Sequence, residues 1–168
     1  TEPARRDAYL RDFERLTQLT QGSVRANGLY AIYLIYQPDG LSQSTFATLR
    51  WLVCYGFAPL VVSNCRLSSD DLERLRQVCW NVLERPNFGY DFGACQDAIR
   101  ILNQSSAEAA RLIIMSDSVW VPMTHDLMER LQQEPDADIL GLLQDEKVRH
   151  DRGGGQPTAL RHVESYFY

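Results

Sequence analysis

Lysine is almost missing from this chain: of seventeen basic residues, Lys147 is the one lysine and the rest are arginine. We read that as a compositional bias of the source and give it no functional weight. Acidic residues number 22, the net charge is −5, and no Lys/Arg cluster breaks the sequence. The basic face with which a protein neutralises phosphates is therefore lacking, so no nucleic-acid partner is expected. Cysteine is sparse, at positions 54, 65, 79 and 95, with no C-x-x-C spacing. Each cysteine sits in an apolar or helical segment, where a reduced thiol acts as a small hydrophobe. Disulfide staples are not expected, and a reducing compartment is. His125, His150 and His162 lack the short spacings of structural zinc ligands. The longest apolar run, residues 29–36, falls far short of the roughly 20 residues that cross a bilayer, so no transmembrane segment is expected. No charged stretch followed by an apolar one marks a signal peptide, and the opening Thr1 reads as the start of a piece released from something longer. Neither G-x-G-x-x-G nor G-x-x-x-x-G-K-[ST] occurs, which weighs against hydride transfer and P-loop chemistry.

What is present has a globular composition: 168 residues, 45% hydrophobic and 23% charged. Residues 4–20 read as a helix, with Tyr9, Phe13 and Leu16 at three- and four-residue steps. Gly22 and Asn27-Gly28 break it. Residues 29–36 are apolar on both faces, as a strand inside a parallel sheet is. After a turn at 38–40, Ser44 caps a helix to Tyr55, with Phe46, Leu49 and Leu52 or Val53 inward and Gly56 as its stop. Residues 58–63 form the next strand, and residues 68–71 open a helix carrying Leu72, Leu75 and Val78. Residues 79–84 return to strand, and the loop 85–93 opens a helix ending near Asn103. A strand over 111–115, a helix from Thr124 to about Gln133 and a strand over 139–143 follow. Residues 144–158 read as a mobile loop, and 160–168 as a short helix or strand. The alternation predicts one three-layer α/β domain with a mostly parallel sheet over residues 29–168, preceded by an N-terminal helix and linker over 1–28.

Such sheets bind ligands beyond the carboxyl ends of their strands. Four places qualify. Tyr36 can stack on a nucleotide base, or simply cover the sheet edge. Asn64 can hydrogen-bond a base or ribose, or serve the turn. In the loop 85–93, Gly89 and Gly93 allow backbone N–H groups close to an anion at a helix N-terminus. Arg85 adds forked donors suited to phosphate. Asp91 either caps the helix or bonds a sugar hydroxyl. Asp117, after four apolar residues, stands where a carboxylate shares Mg²⁺ or Mn²⁺ with substrate phosphates, or caps a turn. His162 and Glu164 lie past the sheet and are the candidates for a catalytic base.

Residues 85–94 (RPNFGYDFGA), 113–120 (IIMSDSVW) and 162–167 (HVESYF), in that order, resemble the rhamnan synthesis protein F family from about residue 29 to the end. The family is similar to glycosyltransferases of the GT-A fold, whose nucleotide-sugar half is Rossmann-like. Its motifs map onto Asn87, Gly89, Tyr90, Asp91, Phe92 and Gly93, and onto Ser116, Asp117 and Ser118. Ser116 replaces the family's usual asparagine, and Glu164 a glutamine. Asp117 alone stands for the Asp-x-Asp metal motif, with a divalent cation as the implied cofactor. The resemblance implies a nucleotide-sugar donor, dTDP-rhamnose, transferred with inversion to a growing cell-surface glycan or lipid-linked glycan. It also implies other modules of a larger protein as partners and a cytoplasmic location, peripheral to the inner face of the membrane. GT-A enzymes are longer, so the acceptor side is expected beyond this piece. The alternative is a non-catalytic module that binds a nucleotide sugar or glycan within a polysaccharide-assembly protein.

Overall fold

The structure, a computed structural model, describes residues 2–105, 108–118, 128–129, 133, 144–149 and 158–163. The chain divides into two compact units, Thr1–Val121 and Pro122–Tyr168. The first unit runs α1 (Glu2–Arg11), α2 (Phe13–Leu16), β1 (Gln18–Gln21), β2 (Leu29–Ile35), α3 (Gln43–Cys54), β3 (Ala58–Ser63), α4 (Ser69–Arg76), β4 (Asn81–Glu84), α5 (Tyr90–Gln104) and β5 (Arg111–Ser116). In the second, β6 (Gln144–Arg149) pairs antiparallel with β7 (Thr158–Val163), and Asp145 stands opposite His162. Among the described residues no helix is long and apolar enough to cross a membrane.

Why β2 is central follows from its composition. It is apolar on both faces, and six of its seven residues are buried; only a strand covered by layers above and below can hide both sets. Its neighbours β3 and β5 are parallel to it, with Leu34 between Val62 and Ser116. The sheet order is β1-β4-β3-β2-β5, parallel except for β1 at one edge. Alternation splits each strand between two faces. Tyr33, Ile35, Val61 and Val82 form one apolar cluster with Phe46 and Leu49 of α3 and Leu75 of α4. Helix α5 packs on β2 and β3. A right-handed crossover from β4 past β3 and β2 to β5 requires α5 to lie on the face opposite α3 and α4. The expected α/β architecture with a mostly parallel sheet is therefore present.

Several boundaries differ from the expectation. The helix read over 4–20 stops at Leu16, and Gln18–Gln21 pairs with β4 as an edge strand. Periodicity could not show this, because the free backbone edge of β4 supplies the partner. Helix α3 is capped by Ser42, not Ser44: the Ser42 hydroxyl accepts from the Thr45 amide. Ser68 caps α4 as its sequence suggests, accepting from the Asp71 amide at 3.1 Å. The fourth strand begins at Asn81, two residues later than read. The segment 144–158 is not all loop, since 144–149 and 158 lie in paired strands. Four of the six residues of β6 are charged, and backbone pairing rather than an apolar pattern defines the two strands. Apart from Met128, Glu129 and Gln133, which are helical, the expected helix from Thr124 to Gln133 and the strand over 139–143 lie outside the described residues.

Leu60 is wholly buried in the middle of β3. Truncation there removes both transfer energy and packing, so Leu60→Ala is expected to cost about 2–5 kcal/mol in urea unfolding. An unchanged midpoint would place Leu60 outside the core.

Candidate functional site

The parallel strands β2 and β5 end side by side, and their carboxyl ends set the first part of the site. The amide of Asp117 donates to the Leu34 carbonyl at 2.9 Å, extending the β2–β5 ladder by one residue. Its carboxylate turns back over β2. Oδ2 accepts from the Tyr36 amide at 3.1 Å and from the Gln37 side-chain Nε2 at 2.8 Å. Gln37 is in turn fixed on both sides. Its Nε2 also donates to Thr45 Oγ1 at 2.9 Å, and its Oε1 accepts from the Ser42 amide at 2.8 Å. The cap of α3 thus orients the amide that orients Asp117. Gln37 follows Tyr36 at the strand end where the sequence places a candidate site, but its bond to Asp117 is set by the fold. Ser116, buried, and Ser118, exposed, share a hydroxyl–hydroxyl bond of 2.7 Å.

The loop 85–93 supplies the second part. Gly89 has φ +73° and stands at the N-cap of α5 without a side-chain cap. Tyr90 follows with φ +50°, a left-handed conformation that residues with a Cβ rarely adopt. Gly93 is needed for a close approach within the chain itself: a Cβ there would collide with the Phe88 carbonyl oxygen and lie 3.1 Å from an Arg85 terminal nitrogen. The turn presents Tyr90 and Phe92 to solvent, 73% and 70% exposed, while Asn87 is also exposed. Asp91, between these two residues in sequence, is half-buried in the first turn of α5. It is not the cap. Burial pushes its carboxyl above the ordinary range, and the nearby Asp117 charge pushes it further the same way. Burial, with a smaller push from Asp117, also raises the Tyr33 hydroxyl. The fold has therefore brought Asp91 and Asp117, 26 positions apart in the chain, within electrostatic reach; Tyr90 and Phe92, the chain neighbours of Asp91, and Tyr36, whose amide meets Asp117, are exposed.

Two expected site residues are placed differently. Arg85 is turned inward, its side chain fully buried, with Nε 2.7 Å from Asp97 Oδ2 and its terminal nitrogens donating to Asn64 Oδ1 and the Phe88 carbonyl. Asn64 is buried as its partner. A guanidinium with these three donors engaged supports the loop from beneath and does not present them to a diphosphate. The physical reason is Asp97, an acid on the buried face of α5 between Ala94 and Ile101. That spacing was a readable signal, because an acid on an apolar helical face calls for a buried cation. His162 lies in β7, and Glu164 is outside the described residues.

Beside Gln37 opens a groove of about 420 Å³, lined by Gln37, Asp39, Gly40, Arg66, Ser68 and Asp71 from the loops after β2 and β3. Sequence reading did not find it, because its walls come from two loops that share no motif. Among the described residues no group of three or more His, Cys, Asp or Glu side chains is gathered to hold a metal. Asp117, with Asp91 within reach of its charge, is of the ligand type a hard cation takes, one or two carboxylates together with substrate phosphates.

Since burial and Asp117 raise the proton affinity of Asp91, its folded form keeps a proton to higher pH than its unfolded form. Its ionisation therefore lowers stability as pH rises through its ordinary range toward its raised one. Asp91→Asn is expected to have a higher Tm than wild type at neutral pH, with the gain fading on acidification, when wild-type Asp91 is itself neutral. A variant less stable at neutral pH would show that the Asp91 carboxylate is favourably held.

Comparison with known proteins agrees with the motifs. The profile of the rhamnan synthesis protein F family matches residues 60–168. An uncharacterised protein of Sinorhizobium fredii, y4gN, is 36% identical over 167 residues; the alignment covers 98% of this chain and 42% of that protein. The chain thus spans less than half the length of this relative. No solved structure matches it. With the family profile covering well over half of its residues, the chain belongs to the rhamnan synthesis protein F family, a family of polysaccharide synthesis.

Proposed function

We propose that the carboxyl rim of the sheet binds a nucleotide-activated sugar, dTDP-rhamnose or a close analogue, as the donor side of a GT-A-like glycosyltransferase. One observation carries the reading: two carboxylates, Asp91 and Asp117, lie within electrostatic reach of each other, and the aromatic residues next to them in the chain or bonded to them by their amide, Tyr90, Phe92 and Tyr36, are exposed. Sugars offer apolar C–H faces to aromatic rings and hydroxyls to carboxylates, so Tyr36, Tyr90 and Phe92 suit the first and Asp91 the second. Asp117 and Asp91 are the residues that would hold Mg²⁺ or Mn²⁺ against the donor diphosphate. Such a cation stabilises the charge that grows on the leaving group. The nucleoside end fits the groove beside Gln37, where Arg66, Ser68, Asp39 and Asp71 offer donors and acceptors. Asn87 and the Ser116–Ser118 hydroxyl pair complete the polar rim.

In the transfer, an acceptor glycan hydroxyl attacks the anomeric carbon from the face opposite the diphosphate. The new C–O bond forms as the bond to the diphosphate breaks, and the hydroxyl proton passes to a base. Gln37 keeps the Asp117 carboxylate in one orientation throughout, which counts because a misplaced group loses most of its catalytic effect. A donor made from cytosolic nucleotide sugars places the reaction on the cytoplasmic side, with a lipid-linked or polymeric acceptor and with further modules of a longer protein.

A non-catalytic module is the second reading, and it draws on the acidic group being, among the described residues, a pair rather than a larger cluster. Titration of dTDP-rhamnose with and without Mn²⁺, followed by assay for free dTDP, separates the two. The donor reading expects Mn²⁺-dependent binding with slow donor hydrolysis. Asp117→Asn should stay folded with a Tm no lower than wild type and weaken binding at least about tenfold, close to 1.4 kcal/mol. Affinity unchanged in that variant, or glycan binding indifferent to nucleotide, would overturn the assignment.

A further inference from the structure

Helix α1 lies outside the residues matched by the family profile, yet its Tyr9 reaches the support of the loop 85–93. The Tyr9 hydroxyl donates to Asp97 Oδ2 at 2.6 Å, the same oxygen that Arg85 Nε meets at 2.7 Å. Arg85 Nε also lies 3.3 Å from the Tyr9 oxygen. The Tyr9 ring stacks on Phe88 with centroids 4.9 Å apart, and Phe13 meets its edge at 6.0 Å. The Arg5 guanidinium lies 5.8 Å from the centre of the Phe88 ring. Burial and the bond to Asp97 push the Tyr9 hydroxyl up to about 12, so it stays a proton donor across the neutral range.

Phe88 is where these contacts matter. Its carbonyl accepts from Arg85, its ring is covered by Tyr9, and the next two residues both have left-handed backbone. A conformation that is unfavourable for Tyr90 persists only where its surroundings hold it. The restraint on one side of this turn comes from Gly93 packed against the Phe88 carbonyl. On the other side it comes from α1.

We propose that Tyr9 is a positioning residue: acting through Asp97, Arg85 and Phe88, it holds residues 88–93 in the one backbone arrangement that presents Tyr90, Asp91 and Phe92 together. That these three meet a sugar donor rests on the function proposed above; the holding of the loop does not.

The test compares wild type, Tyr9→Phe and Tyr9→Leu. Tyr9→Phe keeps the ring stack and removes the hydroxyl, and Tyr9→Leu removes both. Amide hydrogen exchange is read at Phe88 and Gly93, whose N–H groups bond to Pro86 and Gly89 carbonyls. The amides of β2 and β3 report global opening. In Tyr9→Leu the two loop amides are expected to exchange at least about tenfold faster while β2 and β3 keep wild-type rates, with Tyr9→Phe intermediate. Loop amides at wild-type rates in both variants would overturn the proposal. So would equal acceleration of loop and sheet in both, which is the mark of a merely structural residue. Affinity for dTDP-rhamnose with Mn²⁺ is measured on the same samples. A wild type that binds no donor while the loop amides respond as expected removes the donor reading and leaves the positioning role standing.

Discussion

The ion pair between Arg85 and Asp97 is the interaction on which the site depends. Both side chains are almost wholly buried, and a charge taken out of water is costly unless its partner and its remaining hydrogen bonds are supplied. Here they are: Tyr9 completes Asp97, while Asn64 and the Phe88 carbonyl complete Arg85. Among the described residues no buried side-chain nitrogen or oxygen lacks a partner. The network draws on α1, the end of β3, the end of β4, the loop 85–93 and α5. Each element brings a group the others need, so the loop has one low-energy arrangement.

The upper side of that arrangement is exposed. Beneath the loop everything is paired; above it, Tyr90 and Phe92 face solvent and Asp91 stands close enough to Asp117 to feel its charge. Proximity of two carboxylates is unfavourable to stability, and exposed aromatic rings forgo burial. A fold tolerates such features where a ligand relieves them, by supplying a cation, hydroxyls or an apolar face. Asp117 is placed by a different device, a continuation of the β2–β5 ladder and a glutamine held by the cap of α3. Two independent scaffolds, one on each face of the sheet, thus converge on one rim.

Much of this was legible. Strand β2 announced itself by a run apolar on both faces, and β3 ran from Ala58 to Ser63 as read. Helices α4 and α5 were marked by Ser68 and by the glycine-bearing loop. The motifs led to the right family. The edge strand β1 and the hairpin partners β6 and β7 were not legible, because their pairing is a matter of backbone hydrogen bonds to distant residues rather than of side-chain pattern. The direction in which Arg85 points was equally hidden. A forked cation beside a glycine loop reads as a phosphate ligand, and the acid that claims it lies a helix turn and more further along, on α5.

By itself, then, the sequence determined the periodicities: which segments bury one face or two, where helices start, and which polar residues stop at the ends of apolar strands. Those are local properties, set by side-chain transfer energy and by backbone preference within a few residues. Tertiary structure decided which polar residues meet. It gave Arg85 to Asp97 and Tyr9 rather than to solvent, set Asp117 against Gln37, and brought Asp117 near Asp91. Desolvation and Coulomb energy depend on what lies within a few ångströms in space, and only the folded chain fixes that distance.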